Sequence, residues 1–531
     1  MPSGNKEKED AEVEKKKRKR GMYYLSNSFF LTAVLLLLQV FVWGGLYFIT
    51  GLHFDHVTGL IIEGILLLVN LSMIGYVILW CPTNAYQISW LILLVLAPAL
   101  ALVMYVILRL VPGTAHLTAK INERALSTNL HLTELEGPFQ DLSMMNNKYV
   151  GVFRYLENAC RFPAYYGKDT TYYDTGEDAI DGLCEALEEA EDFIFMEYFI
   201  VSEGQVMDRV LDILERKSRE GVEVRFLYDG LCALKLPKNY HKEIQARGIN
   251  CHVFSPIKPL LSSYQNSRDH RKIAVIDGKV GFTGGFNLAD EYANLIVRFG
   301  HWKDAGIRIT GSGVQSLTAM FLQVWSVVTG TVSDEYARYM EVREDVEPSG
   351  TILAPYADAP ENDKDTASDV YCQILDLAED YVHIMTPYLI VDERMRKSLE
   401  LAAQRGVDVK LLLPRIPDKK IAFMVARSFY PDLLRAGVKI YEYTPGFVHS
   451  KIFVSDDCIS TVGTVNLDFR SLFLHFENSI LVYDREVALD IERDFDETIQ
   501  KSERIYYKTY CSFKWYERAA GRIMRVFGPL M

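Results

Sequence analysis

The chain has 531 residues, 49% of them hydrophobic and 24% charged, and its formal net charge is −13. Proteins that track nucleic acid phosphates need a basic face, so this acidic balance argues against nucleic acid as a partner. The length suffices for two lobes with their own cores in addition to an apolar N-terminal region.

The first part of the chain differs in composition from the rest. Residues 1–21 are almost all charged or small and are expected to be disordered. Within 22–110, stretches 29–50, 59–80 and 86–108 each have about the length that spans a ~30 Å hydrocarbon core, and none holds more than one ionisable residue. These stretches predict transmembrane helices and a multi-pass location in the cell membrane.

The basic cluster at residues 15–20 places the N-terminus in the cytoplasm by the positive-inside bias. Three crossings would then put the remainder of the chain outside, whereas a re-entrant stretch would keep it inside. The connecting segments 51–58 and 81–85 carry almost no basic residues and do not decide between the two. Because they have the length of hairpin connections, we expect three crossings.

The pattern His-x-Lys-x4-Asp occurs twice in the remainder of the chain, and each copy is followed by a glycine-led turn and an asparagine. Two copies with the same trailing residues are hard to assign to chance, and they predict two half-sites of one active centre. The repeated residues are His270, Lys272, Asp277 and Asn287 in the first copy, and His449, Lys451, Asp456 and Asn466 in the second.

Each copy is typical of a strand, a tight turn and a returning strand. Alternation along a strand places His270 and Lys272 on one face and Arg271 on the other. The return brings Asn287 back beside His270, so one surface offers an imidazole, an ammonium and an amide. This set suits an anionic tetrahedral group, because lysine supplies charge, asparagine supplies donors, and histidine can attack or carry protons near neutral pH.

Two such imidazoles across a phosphodiester predict a covalent phosphohistidine mechanism that needs neither metal nor other cofactor. The competing interpretation, two structural strand histidines in an unrelated repeat, leaves the matched Lys and Asn unexplained. A zinc site is not expected, because Lys is not a ligand and no second His or Cys sits at metal spacing.

The repeat extends beyond the motifs, with strands alternating with helices, and predicts two duplicated α/β lobes that share one active site. We expect the first lobe at 140–345, an acidic solvated connector at 346–367 and the second lobe at 368–510. The segment 511–531 mixes basic and aromatic residues. It fits either a helix lying on an anionic bilayer or a terminal helix packed on the second lobe.

The paired motifs resemble those of the phospholipase D superfamily, and the surrounding sequence is most similar to bacterial cardiolipin synthases. One departure is that the superfamily often has Ser after the motif glycine, where this chain has Gly285 and Thr464. Supporting segments outside the repeated residues include 196–199, 221–225, 281–285, 301–304, 406–409, 445–448 and 467–471.

The resemblance implies roles for further residues. Asp304 and Glu477 would orient the catalytic imidazoles, with His270 as nucleophile and His449 as acid and base. Asp277 and Asp456 belong to the catalytic motif, although their position at a turn favours a structural role.

The implied reaction is transfer of a phosphatidyl group from one phosphatidylglycerol to another, giving cardiolipin and glycerol. Phosphatidylglycerol, other anionic phospholipids and the membrane would be the partners. The alternatives are a phospholipase D-type hydrolase, in which water replaces the acceptor alcohol, and a catalytically idle membrane scaffold.

Overall fold

The computed structural model describes residues 56–80, 84–96, 98–110, 113–129, 132, 136–144, 147–256, 267–331, 336–340, 350–360 and 364–530. The chain divides into two compact units, one within the first 110 residues and one from residue 111 to residue 529. The predicted disordered stretch 1–21 and the predicted first span 29–50 lie outside the described residues.

The first unit contains three described helices, α1 (His56–Trp80), α2 (Asn84–Leu96) and α3 (Pro98–Leu110). In the described part of the chain, no helix has both the length and the apolar character needed to cross a membrane. The predicted transmembrane helices and the multi-pass location are therefore wrong for these residues.

The second unit is a mixed α/β structure, which confirms the predicted α/β character. Its described helices are α4 (Gly113–Asn129), α5 (Glu136–Met144), α6 (Val150–Cys160), α7 (Gly176–Glu188), α8 (Gln205–Glu220), α9 (Tyr240–Ala246), α10 (Val314–Thr329), α11 (Tyr336–Met340), α12 (Thr366–Leu377), α13 (Glu393–Gln404), α14 (Lys420–Ala436), α15 (Phe469–Phe473), α16 (Arg485–Gln500), α17 (Tyr507–Ser512) and α18 (Trp515–Arg525).

The described strands form two large sheets and two small two-stranded ones. They are β1 (Tyr165–Tyr166), β2 (Thr170–Tyr173), β3 (Phe193–Tyr198), β4 (Glu223–Asp229), β5 (Asn250–Phe254), β6 (Lys272–Ile276), β7 (Val280–Gly284), β8 (His301–Lys303), β9 (Gly306–Thr310), β10 (Ile352–Asp358), β11 (Tyr381–Met385), β12 (Leu389–Ile390), β13 (Asp408–Pro414), β14 (Lys439–Tyr443), β15 (Gly446–Val448), β16 (Ile452–Ser455), β17 (Ile459–Gly463), β18 (Leu467–Asp468), β19 (Glu477–Tyr483) and β20 (Ser502–Ile505).

The two large sheets repeat one topology. Within the described residues, the first has the order β2-β9-β7-β6-β3-β4-β5 and the second the order β1-β10-β19-β17-β16-β11-β13-β14-β20. In both, the strand that follows the motif histidine is antiparallel to both of its neighbours. On one side of it, three strands pair in parallel, β3-β4-β5 in the first sheet and β11-β13-β14 in the second. The shared order is what a duplicated lobe produces.

Both motif strands are fully buried, as the apolar runs predict. Each turns back through a tight bend in which Asp277 and Asp456 adopt left-handed φ values of 53° and 51°. Such values are uncommon outside glycine and are best tolerated by Asp and Asn. The turn chemistry of the repeat therefore sets the hairpin that positions the histidine.

Elements of the two lobes interlock. Strand β8 of the first lobe pairs in parallel with β15 of the second, and α10 is buried along its length from Val314 to Ser326. Residues 352–358, inside the stretch expected to be a connector, form β10 and pair with all seven residues of β19. An apolar start at Ile352 and Leu353 allows this segment to enter the core, where both side chains are buried.

Candidate active site

The two motif histidines are fixed by backbone contacts to the opposite lobe. The amide of His270 donates to the carbonyl of Phe476 at 2.9 Å, and the amide of His449 donates to the carbonyl of Lys303 at 2.7 Å. Both accepting residues directly precede a carboxylate, Glu477 or Asp304. The same two-fold arrangement therefore places each histidine beside an acid from the other lobe.

The imidazole–carboxylate pairs are crossed. His270 Nδ1 lies 2.9 Å from Glu477 Oε2, and His449 Nδ1 lies 2.8 Å from Asp304 Oδ2. Because an ionised carboxylate only accepts hydrogen bonds, each Nδ1 carries the proton and each Nε2 keeps its lone pair. Both carboxylates are completely buried. Neither half-site is complete within its own lobe.

Burial is the largest influence on the titration of the imidazoles. It lowers the pKa of His270 well below its usual value, with a further contribution from the Lys272 ammonium. Burial and the Lys451 ammonium lower the pKa of His449 to about 4. Both imidazoles are therefore neutral near pH 7 when no anion occupies the site.

The motif lysines are buried as well. Desolvation lowers the pKa of Lys272 to about 7 and that of Lys451 to about 8. Lys272 Nζ donates to the carbonyl of His270 at 2.5 Å, and Lys451 Nζ donates to that of His449. Two buried cations repel each other, so an anion between them would stabilise both charged forms.

Two opposing influences act on the pKa values of the carboxylates. Burial alone would raise the pKa of Glu477, but electrostatic attraction to His270 and the hydrogen bond between them hold it well below its usual value. His449 has the same effect on Asp304, whose pKa is also lowered. Both acids are therefore ionised and act as acceptors for the histidines.

The asparagines that follow the motifs are also buried. Asn287 Oδ1 accepts from the amide of Ile200 at 2.8 Å, while its Nδ2 has no hydrogen-bond partner among the described residues. Asn466 Oδ1 likewise lacks a partner within the described part of the chain; the O and N of an amide are interchangeable by rotation. Buried amide atoms are normally paired, so they suit a role as ligand donors.

The departure at Gly285 and Thr464 has a structural reason. A Cβ at Gly285 would collide with Asp304 Oδ1 and lie 2.8 Å from the His449 carbonyl. In the second half-site, the Thr464 hydroxyl donates to Glu477 Oε2 and accepts from the amide of Asn478 at 3.0 Å. Both positions serve the orienting carboxylates instead of offering a free hydroxyl to a phosphate.

The two motif aspartates lie at the far ends of their strands, about 16 Å along the chain from the motif lysines. Asp277 accepts from the amides of residues 191, 192 and 193, each at 2.8 Å. Asp456 accepts from the amides of residues 379, 380 and 381 at 2.9 to 3.0 Å. Both thus hold the start of the neighbouring strand.

Sequence reasoning missed two aromatic neighbours of the histidines. The rings of His475 and His270 are 5.6 Å apart, and those of Trp302 and His449 are 5.2 Å apart. Each neighbour stands two residues before an orienting carboxylate. Superposing the segments 302–304 and 475–477 as part of the repeat would have identified both positions. It would also have shown that the second lobe places a third imidazole, His475, where the first lobe places Trp302.

Two buried imidazoles, each oriented from the opposite lobe, place the protein among the bilobal phospholipase D-like enzymes that act on phosphodiesters. A family model described as "Cardiolipin synthase, PLD-like domain" matches residues 183–325 and 371–499. The chain belongs to this family.

Relatives with similar sequences cover most of the chain. It is 42% identical over 446 residues to an uncharacterized protein of Streptococcus mutans, covering 84% of this chain and 96% of that one. It is 32% identical over 476 residues to a cardiolipin synthase of Halalkalibacterium halodurans, covering 88% and 93%. It is 35% identical over 397 residues to cardiolipin synthase 2 of Bacillus anthracis, covering 74% and 77%.

A solved structure supports the fold alone. The crystal structure of a phosphatidylserine synthase from Haemophilus influenzae covers 70% of this chain and 94% of its own length, with a TM-score of 0.53 and 14% sequence identity. Together with the family match, these similarities confirm the resemblance stated from the motifs.

Proposed function

We propose that this protein is a cardiolipin synthase, which transfers a phosphatidyl group from one phosphatidylglycerol to a hydroxyl of another and releases glycerol. The observation that carries the proposal is the crossed pairing of His270 with Glu477 and of His449 with Asp304. It supplies two neutral imidazoles with free Nε2 atoms at one site, beside two buried lysines. Membership of the family and the cardiolipin synthases among the relatives support the choice of substrate.

In the first step, His270 Nε2 attacks phosphorus and forms a P–N bond, while the P–O bond to the leaving glycerol breaks. His449, as imidazolium, gives its proton to the departing oxygen. The pKa of His449 is low in the empty site, but a phosphodiester anion between Lys272 and Lys451 adds negative charge beside it and raises that pKa. Substrate binding therefore favours the protonated acid.

In the second step, the hydroxyl of another phosphatidylglycerol loses its proton to His449 and attacks phosphorus, and the P–N bond to His270 breaks. Lys272, Lys451 and the amide groups of Asn287 and Asn466 balance the charge on the phosphoryl oxygens in both steps. If water took the place of the acceptor, the same residues would catalyse hydrolysis to phosphatidic acid.

The roles of the two histidines, His270 as nucleophile and His449 as acid and base, are assigned from the family resemblance. This assignment predicts that His449→Ala still accumulates a phosphatidyl-enzyme from a substrate with a good leaving group, because departure of that group needs no acid. His270→Ala cannot do so, because it lacks the attacking nitrogen. Mass spectrometry of the denatured variants decides, and an adduct in His270→Ala alone would reverse the roles.

We further propose that the enzyme acts at the surface of an anionic membrane, with α18 as one contact. The helix packs on α14, since a Cβ at Gly521 would collide with the Met424 carbonyl. Its outer face leaves Trp515 74% and Ile523 64% exposed, next to an exposed Arg522. Exposed aromatic and basic residues suit a lipid headgroup region.

Product analysis tests the function. Purified protein is incubated with phosphatidylglycerol in mixed micelles, and lipids and glycerol are resolved over time. We expect one glycerol for each cardiolipin, with no turnover in His270→Ala or His449→Ala and normal turnover in the distant control His241→Ala. Phosphatidic acid as the dominant product with acceptor lipid in excess would favour the hydrolase.

Sedimentation with vesicles tests the membrane contact. We expect binding to phosphatidylglycerol vesicles, weaker binding to phosphatidylcholine vesicles, and a loss for a Trp515→Ser, Ile523→Ser double variant. Equal binding of the double variant and the wild type would reject α18 as a contact.

A further inference from the structure

Three potential metal ligands lie close together, and one of them is the candidate nucleophile. His270, His475 and Glu477 each offer one ligand atom, and these atoms all lie within 4.8 Å of one another. The three residues are held together by backbone pairing, since the amide of His270 donates to the carbonyl of Phe476, between His475 and Glu477. The cluster is therefore a fixed feature of the lobe interface, formed by residues that lie far apart in the sequence.

The structure leaves several of these atoms unpaired. Both ring nitrogens of His475 and Oε1 of Glu477 are buried and have no hydrogen-bond partner in the described part of the chain. His475 Nδ1 is 3.7 Å from that oxygen, which is too far for a hydrogen bond. Buried polar atoms in proteins normally have a hydrogen-bond partner, so these atoms are available to bind a ligand.

The donor set has the chemistry of a zinc site. Two imidazoles and a carboxylate are one of the ligand sets of catalytic zinc, which leaves a fourth position open. His270 Nδ1 and Glu477 Oε2 are 2.9 Å apart, close to the roughly 3.3 Å between two ligands bound at about 2.0 Å to a tetrahedral ion. A small movement would thus admit a metal at Nδ1, with the single ring proton of the neutral imidazole moving to Nε2.

The other half-site cannot form such a cluster. Its residue equivalent to His475 is Trp302, whose indole donates to Asp304 Oδ2 at 3.3 Å and offers no ligand. Nearby Lys272 opposes a cation, so weakly bound hard ions such as Mg²⁺ are disfavoured, whereas Zn²⁺ has strong affinity for imidazole.

We propose that His270, His475 and Glu477 form a binding site for one zinc-class divalent ion, and that the ion bound at His270 Nδ1 inhibits the enzyme because the ring proton then lies on Nε2, the attacking nitrogen. The binding site stands on the cluster alone. Its inhibitory effect rests on the proposed function, in which His270 is the nucleophile.

Metal titration without lipid tests the binding site. Chelator-treated full-length protein is titrated with Zn²⁺ by calorimetry and with Co²⁺ by visible absorption. We expect one ion per chain and the intense absorption of tetrahedral cobalt. His475→Asn should weaken binding at least about tenfold, since even outer-shell changes at metal sites weaken binding 10- to 100-fold. His241→Asn, which removes a distant histidine, should bind as the wild type does.

A second variant distinguishes the loss of a metal ligand from misfolding. His475→Trp introduces the residue type found at the equivalent position, and melting curves establish that each variant is folded before titration. Undiminished binding by a folded His475 variant, or no stoichiometric binding by the wild type, would overturn the proposed site.

Inhibition is measured separately as glycerol release from phosphatidylglycerol, each variant being compared with its own metal-free rate. Zn²⁺ should inhibit the wild type reversibly. It should inhibit His475→Asn only at concentrations about tenfold higher or more. Mg²⁺ should not inhibit either protein. If zinc binds but does not inhibit, the inhibitory part is rejected. Absence of cardiolipin synthesis in metal-free protein would reject the proposed function and leave the binding result intact.

Discussion

The variants Asp304→Asn and Glu477→Gln should slow different chemical steps, because each carboxylate binds the histidine of the opposite lobe. Asp304 acts on His449, the proposed acid, whereas Glu477 acts on His270, the proposed nucleophile. A substrate whose leaving group is p-nitrophenol needs no acid for the first step. It should therefore rescue phosphatidyl-enzyme formation in Asp304→Asn but not in Glu477→Gln.

The size of each effect follows from the hydrogen-bond partners. Both oxygens of Asp304 accept, Oδ1 from the amide of Ala305 at 2.9 Å and Oδ2 from His449 and Trp302. An asparagine must turn its NH2 group towards one of these donors, which disturbs the tautomer of the imidazole. Disturbing the tautomer in a comparable catalytic triad costs about 10⁴-fold in kcat, so we expect about 10³- to 10⁴-fold with the natural substrate.

Glutamine at position 477 is better tolerated. Glu477 Oε2 accepts from His270 and Thr464, but Oε1 has no partner in the described part of the chain. The NH2 group can take the position of Oε1 and leave the bond to His270 in place. Only the charge is lost. Hydrogen bonds to charged groups contribute about 1.5 to 3 kcal/mol, so we expect kcat to fall about 10- to 150-fold.

Rapid quenching of single turnovers measures phosphatidyl-enzyme formation with both substrates. Rescue of Glu477→Gln but not of Asp304→Asn would refute the crossed assignment of roles. An effect below about threefold in both variants would refute the orienting function itself, since it is far smaller than the estimate for a lost charge.

Further expectations concern pH, metal and stability. Lys272 and Lys451 hold the anionic headgroup only when charged, which is the case below their pKa values of about 7 and about 8. The value of kcat/KM should therefore fall as the pH rises through this range. A flat profile of kcat/KM up to pH 9 would contradict the role of the lysines. Exhaustive chelation should leave turnover intact with a neutral-headgroup analogue, whereas its loss would contradict the metal-free mechanism. Asp277→Ala leaves three backbone donors without their acceptor and should lower stability by about 2–4 kcal/mol, seen as a lower melting temperature; an unchanged melting temperature would contradict the structural role.

The repeat predicted the hairpins and the duplicated α/β lobes because turn chemistry and strand alternation are local properties. The superfamily and its cardiolipin synthase branch, which the motifs indicated, are confirmed by the family match. The pairing of Glu477 with His270 is a tertiary contact, however, and no local pattern distinguishes it from pairing within one lobe. The position of His475 could have been identified by extending the repeat to residues 475–477, but its approach to His270 is likewise a tertiary contact.

Composition was a weaker guide than the repeat. The acidic content of 346–367 predicted a connector, yet the apolar residues from Ile352 onwards pair with β19 in the core. Hydropathy likewise predicted transmembrane spans, yet no helix in the described part of the chain has both the length and the apolar character to cross a membrane. The charge of 511–531 left two alternatives open, and α18 both packs on the second lobe and exposes aromatic residues.

The central claim is that one covalent intermediate forms at a site completed by both lobes, and glycerol exchange tests it most directly. The enzyme is incubated with phosphatidylglycerol and radiolabelled glycerol in chelator, and label is followed in the phosphatidylglycerol pool. A phosphatidyl-enzyme predicts that label enters phosphatidylglycerol in the wild type and not in His270→Ala, because free glycerol can reverse the first step. Cardiolipin formation by the wild type without any exchange of glycerol would contradict the account.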